Sequence, residues 1–157
     1  MKKRILFCFF AFLLSWNASN AVDVNDAEQL VLAIFSSPSD INFTTSAIIF
    51  SSSVNNINVS GKETVFGGSS VSFYGGNLYA AFDISASSIT FTNSVNFNNF
   101  KNASSGGALV LNNGSTLNFS GSTVSFKNNA SENFGGAVAV YNQSRLSIDA
   151  DYIEFSS

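Results

Sequence analysis

The chain has no histidine, one proline and one cysteine among 157 residues, and only 11% of it is charged. Without histidine it lacks the commonest general base and the commonest neutral metal ligand. The single cysteine, Cys8, cannot close a disulfide within the chain. Seven basic residues against ten acidic ones give a net charge of −3, which argues against a nucleic-acid binder held by phosphate contacts. What the chain has instead is 28 Ser, 20 Asn and 17 Phe. Ser and Asn bond to local backbone and favour turns and caps over helix interiors. A chain made polar by them points to an all-β, turn-rich fold, and its 45% hydrophobic content is too high for disorder.

The N-terminus reads as a processing signal. Met1-Lys2-Lys3-Arg4 is basic, Ile5 to Trp16 is apolar, and Ser19 and Ala21 are small residues at the −3 and −1 positions of a cleavage site. This predicts a secretory signal peptide over residues 1–21, cleaved after Ala21. Twelve apolar residues fall short of the roughly 20 that span a bilayer, and no later segment comes closer. Cleavage would leave Val22 to Ser157, with four basic and ten acidic side chains, a net charge of −6, and no cysteine. Packing or stacked repeats alone must then hold the exported part together.

Self-similarity is the strongest signal in the remainder. Gly106-Gly107-Ala108-Leu109-Val110-Leu111 matches Gly135-Gly136-Ala137-Val138-Ala139-Val140 at an offset of 29. The same offset carries Val95 and Phe97 onto Val124 and Phe126, and Leu117 and Phe119 onto Leu146 and Ile148. An earlier copy is expected at Gly75-Gly76-Asn77-Leu78, with Phe66, Phe97 and Phe126 each nine positions before a Gly pair. Leu117-Asn118-Phe119 and Val124-Ser125-Phe126 are short alternations of apolar and polar residues, a strand period. Such short strands cannot bury their faces in hairpins. They suit one coil of a parallel β-helix, each strand pairing with its equivalent about 4.8 Å away in the next coil. The glycines supply backbone angles closed to other residues, and Asn128, Asn129 and Asn142 are expected in turns.

The fold expected is therefore all-β, a right-handed parallel β-helix of four or five coils, the hand following the general crossover preference. Residues 22–38 form an N-terminal capping region. There Asn25-Asp26-Ala27-Glu28 looks like a capping box, Ala27, Leu30, Val31 and Ile34 share a helix face, and Ser36-Ser37-Pro38 ends the helix. Residues 39–157 form the coils. The pattern runs to Ser157 without a capping element, so further coils are expected beyond it, and end-to-end stacking through the uncapped coil is a possible association.

Phe126-Lys127-Asn128-Asn129 before Gly135-Gly136-Ala137-Val138, and Phe97 before Gly106-Gly107-Ala108-Leu109, resemble the repeats of chlamydial polymorphic outer membrane proteins. Those repeats pair a Phe-x-x-Asn tetrapeptide with Gly-Gly-Ala and an aliphatic residue. The first copy departs from the pattern, with Phe100 where Asn belongs. Members of the family commonly carry cysteines and a translocating β-barrel, and neither feature occurs between Val22 and Ser157. The resemblance implies an exported β-helix passenger at the outer membrane surface, used in attachment to an unidentified protein or glycan.

Catalysis on a β-helix needs convergent carboxylates. The one candidate is Asp149 with Asp151, expected on one side of a strand near Arg145 and Glu154; at an offset of 29 its equivalents are Ser120 and Ser122, so no acidic face runs along the coils. The cluster reads as solvated surface, no catalytic, metal or cofactor residue is assigned, and a carbohydrate-active enzyme fragment or a gene remnant is the alternative reading. Seven Asn-x-Ser/Thr triplets lie between Asn42 and Asn142, several of which such a composition yields by chance.

Overall fold

The computed structural model describes residues 21–54 and 56–157. Residues 1–20, all but the last residue of the expected signal peptide (1–21), lie outside the described residues. The chain runs β1 (Val22–Val24), α1 (Ala27–Ser36), β2 (Asp40–Phe43), β3 (Ala47–Ile49), β4 (Ile57–Ser60), β5 (Glu63–Gly68) and β6 (Val71–Tyr74). It continues through β7 (Phe82–Ser85), β8 (Ser88–Phe91), β9 (Val95–Asn98), β10 (Lys101–Asn102), β11 (Leu109–Asn112) and β12 (Thr116–Phe119). It closes with β13 (Thr123–Lys127), β14 (Ala130–Ser131), β15 (Val138–Val140), β16 (Arg145–Ile148) and β17 (Tyr152–Ser156).

These strands wind into a β-solenoid of about four turns. Three parallel sheets form its sides, in the orders β1-β2-β5-β8-β12-β16, β3-β6-β9-β13-β17 and β4-β7-β11-β15, with a short fourth ladder of β10 and β14. The sequence offset of 29 is the pairing register. Phe97 lies beside Phe126, Leu109 beside Val138, and Leu117 beside Leu146. A side-chain period of two then sends Val95 and Phe97 inward while Asn96 and Asn98 face out, half-buried.

Because equivalent residues pair, like side chains stack. Phe66, Phe91 and Phe119 form one inner column, with ring centroids 4.7 and 5.2 Å apart. Phe73, Phe97, Phe126 and Phe155 form another, at 5.1, 5.1 and 4.9 Å and within 17° of parallel. These spacings follow the strand separation of about 4.8 Å, so the backbone ladder sets the ring stacking. The columns meet edge to face, as where Phe91 and Phe97 lie 6.3 Å apart at 84°.

One sequence alignment is corrected. Gly75-Gly76-Asn77-Leu78 is not the counterpart of Gly106-Gly107-Ala108-Leu109. Leu109 pairs with Phe82, the N–H groups of Ala81 and Phe82 both donate to the Ala108 carbonyl, and Leu78 is exposed. Gly75 lies instead against Phe100, where a Cβ would meet the ring at 2.3 Å. Likewise Phe73, not Phe66, continues the Phe97–Phe126 column. The Gly pair misleads because Gly75 makes room for the ring of Phe100, not for a coil corner.

The capping helix is present, with its box one residue later than expected. Asp26, in extended conformation, accepts from the Gln29 N–H at 2.8 Å, and Gln29 Oε1 accepts from the Asn25 N–H at 3.1 Å. Glu28 is free of the cap and accepts a bond from Ser53 Oγ. Ser37, left-handed at φ 59°, ends the helix before Pro38. Ala27, Leu30, Ala33 and Ile34 are buried and belong to the same core as the phenylalanine columns, so α1 closes that end of the solenoid.

Candidate interaction surfaces

The repeat residues singled out in the sequence are structural. Gly106 and Gly135 adopt positive φ of 67° and 64°, and Ala108 and Leu109 are fully buried. Ala137 and Val138, their equivalents in the last coil, are half-buried. Gly107 lies under the next coil, where a Cβ would stand 2.1 Å from the Gly136 carbonyl oxygen. Asn128 and Asn142 are left-handed, at φ 53° and 48°. Asn129 is not; its side chain instead bonds to the backbone of the preceding coil.

Two ladders were not evident beforehand. Ser144 Oγ accepts from the Ser115 N–H, Ser115 Oγ from the Ser87 N–H, and Ser87 Oγ from the Lys62 N–H, at 3.1, 3.3 and 3.1 Å. Ser115 is wholly buried, and this hydroxyl column ties backbone N–H groups of one coil to the next at a corner outside the sheet ladders; the Ser115 N–H is shared with the Asn112 carbonyl. The match of Ser115 to Ser144 at the coil offset was its signal in the sequence. On the outer face of the β3–β17 sheet, Ser125 Oγ bonds Asn96 Oδ1 at 2.5 Å and Asn96 Nδ2 bonds Ser72 Oγ at 3.1 Å.

Two rows on the lateral faces are short neutral polar side chains, the second of them bonded internally. Thr90, Asn118 and Ser147 stand in register on one side, and Ser72, Asn96 and Ser125 on another. Charge is scattered. Lys127 Nζ lies 2.8 Å from Glu154 Oε2; the hydrogen bond holds the Glu154 carboxyl below its usual range and the Lys127 ammonium above its own. Asp83, half-buried between Asn58 and Val110 on neighbouring strands, has its carboxyl pushed up by burial.

Asp149 and Asp151 do not share a strand face. Both fall in the turn between β16 and β17, because β16 ends at Ile148 and β17 starts at Tyr152. They line a shallow open groove with Ser120, Gly121 and Ser122 of the preceding coil. Glu154 is engaged by Lys127. Among the described residues no group of three or more His, Cys, Asp or Glu could hold a metal ion, and no helix is long and apolar enough to cross a membrane.

At the end opposite α1 the core is open. β15, β16 and β17 are each the terminal strand of their sheet. The inward-facing Val140, Ile153 and Phe155 remain 42%, 46% and 56% exposed, against 1% or less for Leu111, Val124 and Phe126 one coil earlier. Compared with known proteins, the chain matches no family model, no curated protein and no solved structure.

Proposed function

We propose that the chain is an exported, non-enzymatic surface protein, a β-solenoid passenger displayed at the outer membrane and used in attachment to a protein or glycan. The observation that carries this reading is the character of the side walls. Thr90, Asn118 and Ser147, half-buried and in register from coil to coil, offer a row of short neutral donors and acceptors on a rigid aromatic core. Such a wall suits a partner that is itself neutral and rich in hydroxyl or amide groups, bound by many weak contacts. The resemblance of Phe126 to Val138 to chlamydial polymorphic outer membrane protein repeats points the same way.

The test displays the chain on a bacterium that does not adhere to cultured cells, and measures attachment with surface protease treatment as a control. Saturable attachment, lost when the displayed chain is shaved off, is the expected result. Attachment no greater than that given by an unrelated β-solenoid of similar size overturns the proposal.

A further inference from the structure

The corner between β11 and β12 holds the one Asn-Gly step of the sequence, Asn113-Gly114. Such a step carries a reaction of its own. The Gly114 amide nitrogen attacks Cγ of the Asn113 carboxamide: an N–Cγ bond forms, the Cγ–Nδ2 bond breaks, and the Gly114 proton leaves with Nδ2 as ammonia. The cyclic imide then takes up water at either carbonyl and opens to aspartate or isoaspartate. The other left-handed asparagines among the described residues, Asn77, Asn99, Asn128 and Asn142, precede Leu78, Phe100, Asn129 and Gln143, whose side chains crowd the nucleophile. Gly114 has no side chain, and nothing stands within 4 Å of where its Cβ would be. Asn113 and Gly114 are both exposed, so water reaches them.

We infer that Asn113 is a self-modification site gated by the stacking of the coils: it converts in the unstacked chain and is held unreacted in the folded one. The folded corner restrains the reaction at three points. Asn113 is left-handed at φ 54°, a region whose ψ of about 47° sets the Gly114 nitrogen opposite Cβ across the Cα–C bond, far from Cγ. The Gly114 N–H donates to the Asn142 carbonyl of the following coil at 2.9 Å. The leaving group, Nδ2, donates to Ser85 Oγ of the preceding coil at 2.8 Å. Asn112 Oδ1 ties the corner together, accepting from the Asn113 N–H at 2.9 Å and from Asn142 Nδ2 at 2.5 Å. Nucleophile and leaving group are thus each held by another coil, and neither is held before the coils stack. The product fits the corner badly. Aspartate has no Nδ2 donor for Ser85, and isoaspartate routes the main chain through an added methylene that carries the Gly114 N–H away from Asn142. The site therefore records how long a chain has stayed unstacked, and a converted chain restacks less stably.

The experiment incubates the folded chain, and the same chain in concentrated urea, in one mildly alkaline buffer. Peptide mapping by mass spectrometry and enzymatic methylation of isoaspartate read the conversion at each asparagine. Asn113 should convert first in urea, and at least about tenfold more slowly in the folded chain, an opening free energy of about 1.4 kcal/mol or more. Gly114→Ala should slow the conversion in urea, where stacking plays no part. Ser85→Ala removes the partner of Nδ2, and Asn142→Val disfavours the left-handed turn that places the Asn142 carbonyl. Each should speed conversion in the folded chain about threefold or more, the effect of losing one hydrogen bond, with far-UV circular dichroism unchanged. Ile49→Lys, on an exposed side wall near the other end, should convert as the native chain does. Hydrogen exchange of the Gly114 amide in the native chain is a second measure, and its protection should match the slowing of conversion. Conversion as fast in the folded chain as in urea overturns the gate, and so does an unprotected Gly114 amide. A slow folded rate that neither Ser85→Ala nor Asn142→Val changes, or that Ile49→Lys raises equally, overturns the local mechanism. Conversion in urea spread evenly over the other asparagines overturns the site.

Discussion

Asn129 grips the backbone of the coil before it at two points: its Oδ1 accepts from the Phe100 N–H and its Nδ2 donates to the Phe97 carbonyl, both at 2.9 Å. The side chain bridges a corner that the sheet ladders do not reach, between β9 and β10. Asn129→Ala leaves a donor and an acceptor there without partners, and unmet groups of this kind cost about 1–3 kcal/mol. Urea unfolding of the variant should show that loss. Asn129→Asp keeps the acceptor and loses the donor, so it should fall between the two. Equal stability of the Ala variant and the native chain would mean that water replaces both bonds.

Gly107 and Gly136, equivalent positions in successive coils, should respond differently to the same substitution. A Cβ on Gly107 would stand 2.1 Å from the Gly136 oxygen and 2.6 Å from that of Ala130, both backbone atoms that cannot swing aside. On Gly136 the nearest atom is the Asn129 oxygen at 3.5 Å, an ordinary contact. Gly107→Ala is expected to cost about 3 kcal/mol or more, as overpacked sites do. Gly136→Ala should lie within about 0.5 kcal/mol of the native chain. Thermal melts of the two variants decide the matter.

The contrast between these glycines also explains what could be read from the sequence. From Val95 onward each coil pairs with the next at a constant offset of 29, so the register, the inward Phe97 and Phe126 and the left-handed Asn128 and Asn142 were all legible. Before that the spacing changes. Leu109 pairs with Phe82 and Phe119 with Phe91, offsets of 27 and 28, because the corners differ in length. A Gly-Gly motif alone cannot tell a corner from a space cleared for a ring, which is why Gly75 misled. The acids Asp149 and Asp151 were legible as a pair but not as turn residues, since the bounds of β16 and β17 depend on pairing with the preceding coil. The serine column through Ser87 and Ser115 escaped because a buried hydroxyl and an exposed one look alike in sequence.

Two carboxylates should give stability a pH dependence of opposite sign. Glu154 titrates below its usual range because Lys127 bonds the charged form. Its contribution is complete above the unfolded carboxylate value of about 4.3 and is lost as pH falls through the lower folded value. Asp83 titrates above its usual range because burial disfavours its charge. The folded chain then holds that proton more tightly than the unfolded chain, so stability falls as pH rises through the two values and the penalty persists at neutrality. Asp83→Asn should raise the melting temperature at pH 7 and make no difference well below pH 3.8, the ordinary value of the group. Glu154→Gln should flatten the acid limb only slightly, because the pair is solvent-exposed and screened. A lower melting temperature for Asp83→Asn at pH 7 would mean that the carboxylate is stabilised by its surroundings.

The aromatic column supplies the last prediction, because its members differ in burial but not in chemistry. Phe97 is fully buried between Phe73 and Phe126, each 5.1 Å away, with Phe82, Phe91 and Phe119 edge-on around it. Removing that ring opens a cavity whose rigid walls cannot close, and Phe97→Ala is expected to cost about 3–5 kcal/mol. Phe155 stacks on Phe126 at 4.9 Å by one face only and is 56% exposed. In dilute protein Phe155→Ala should cost about 1–2 kcal/mol, since roughly half of the ring is already in water. Urea denaturation of the native chain and of both variants reads the two penalties. A penalty for Phe155→Ala as large as that for Phe97→Ala would mean that one-sided stacking holds the ring as firmly as full burial does.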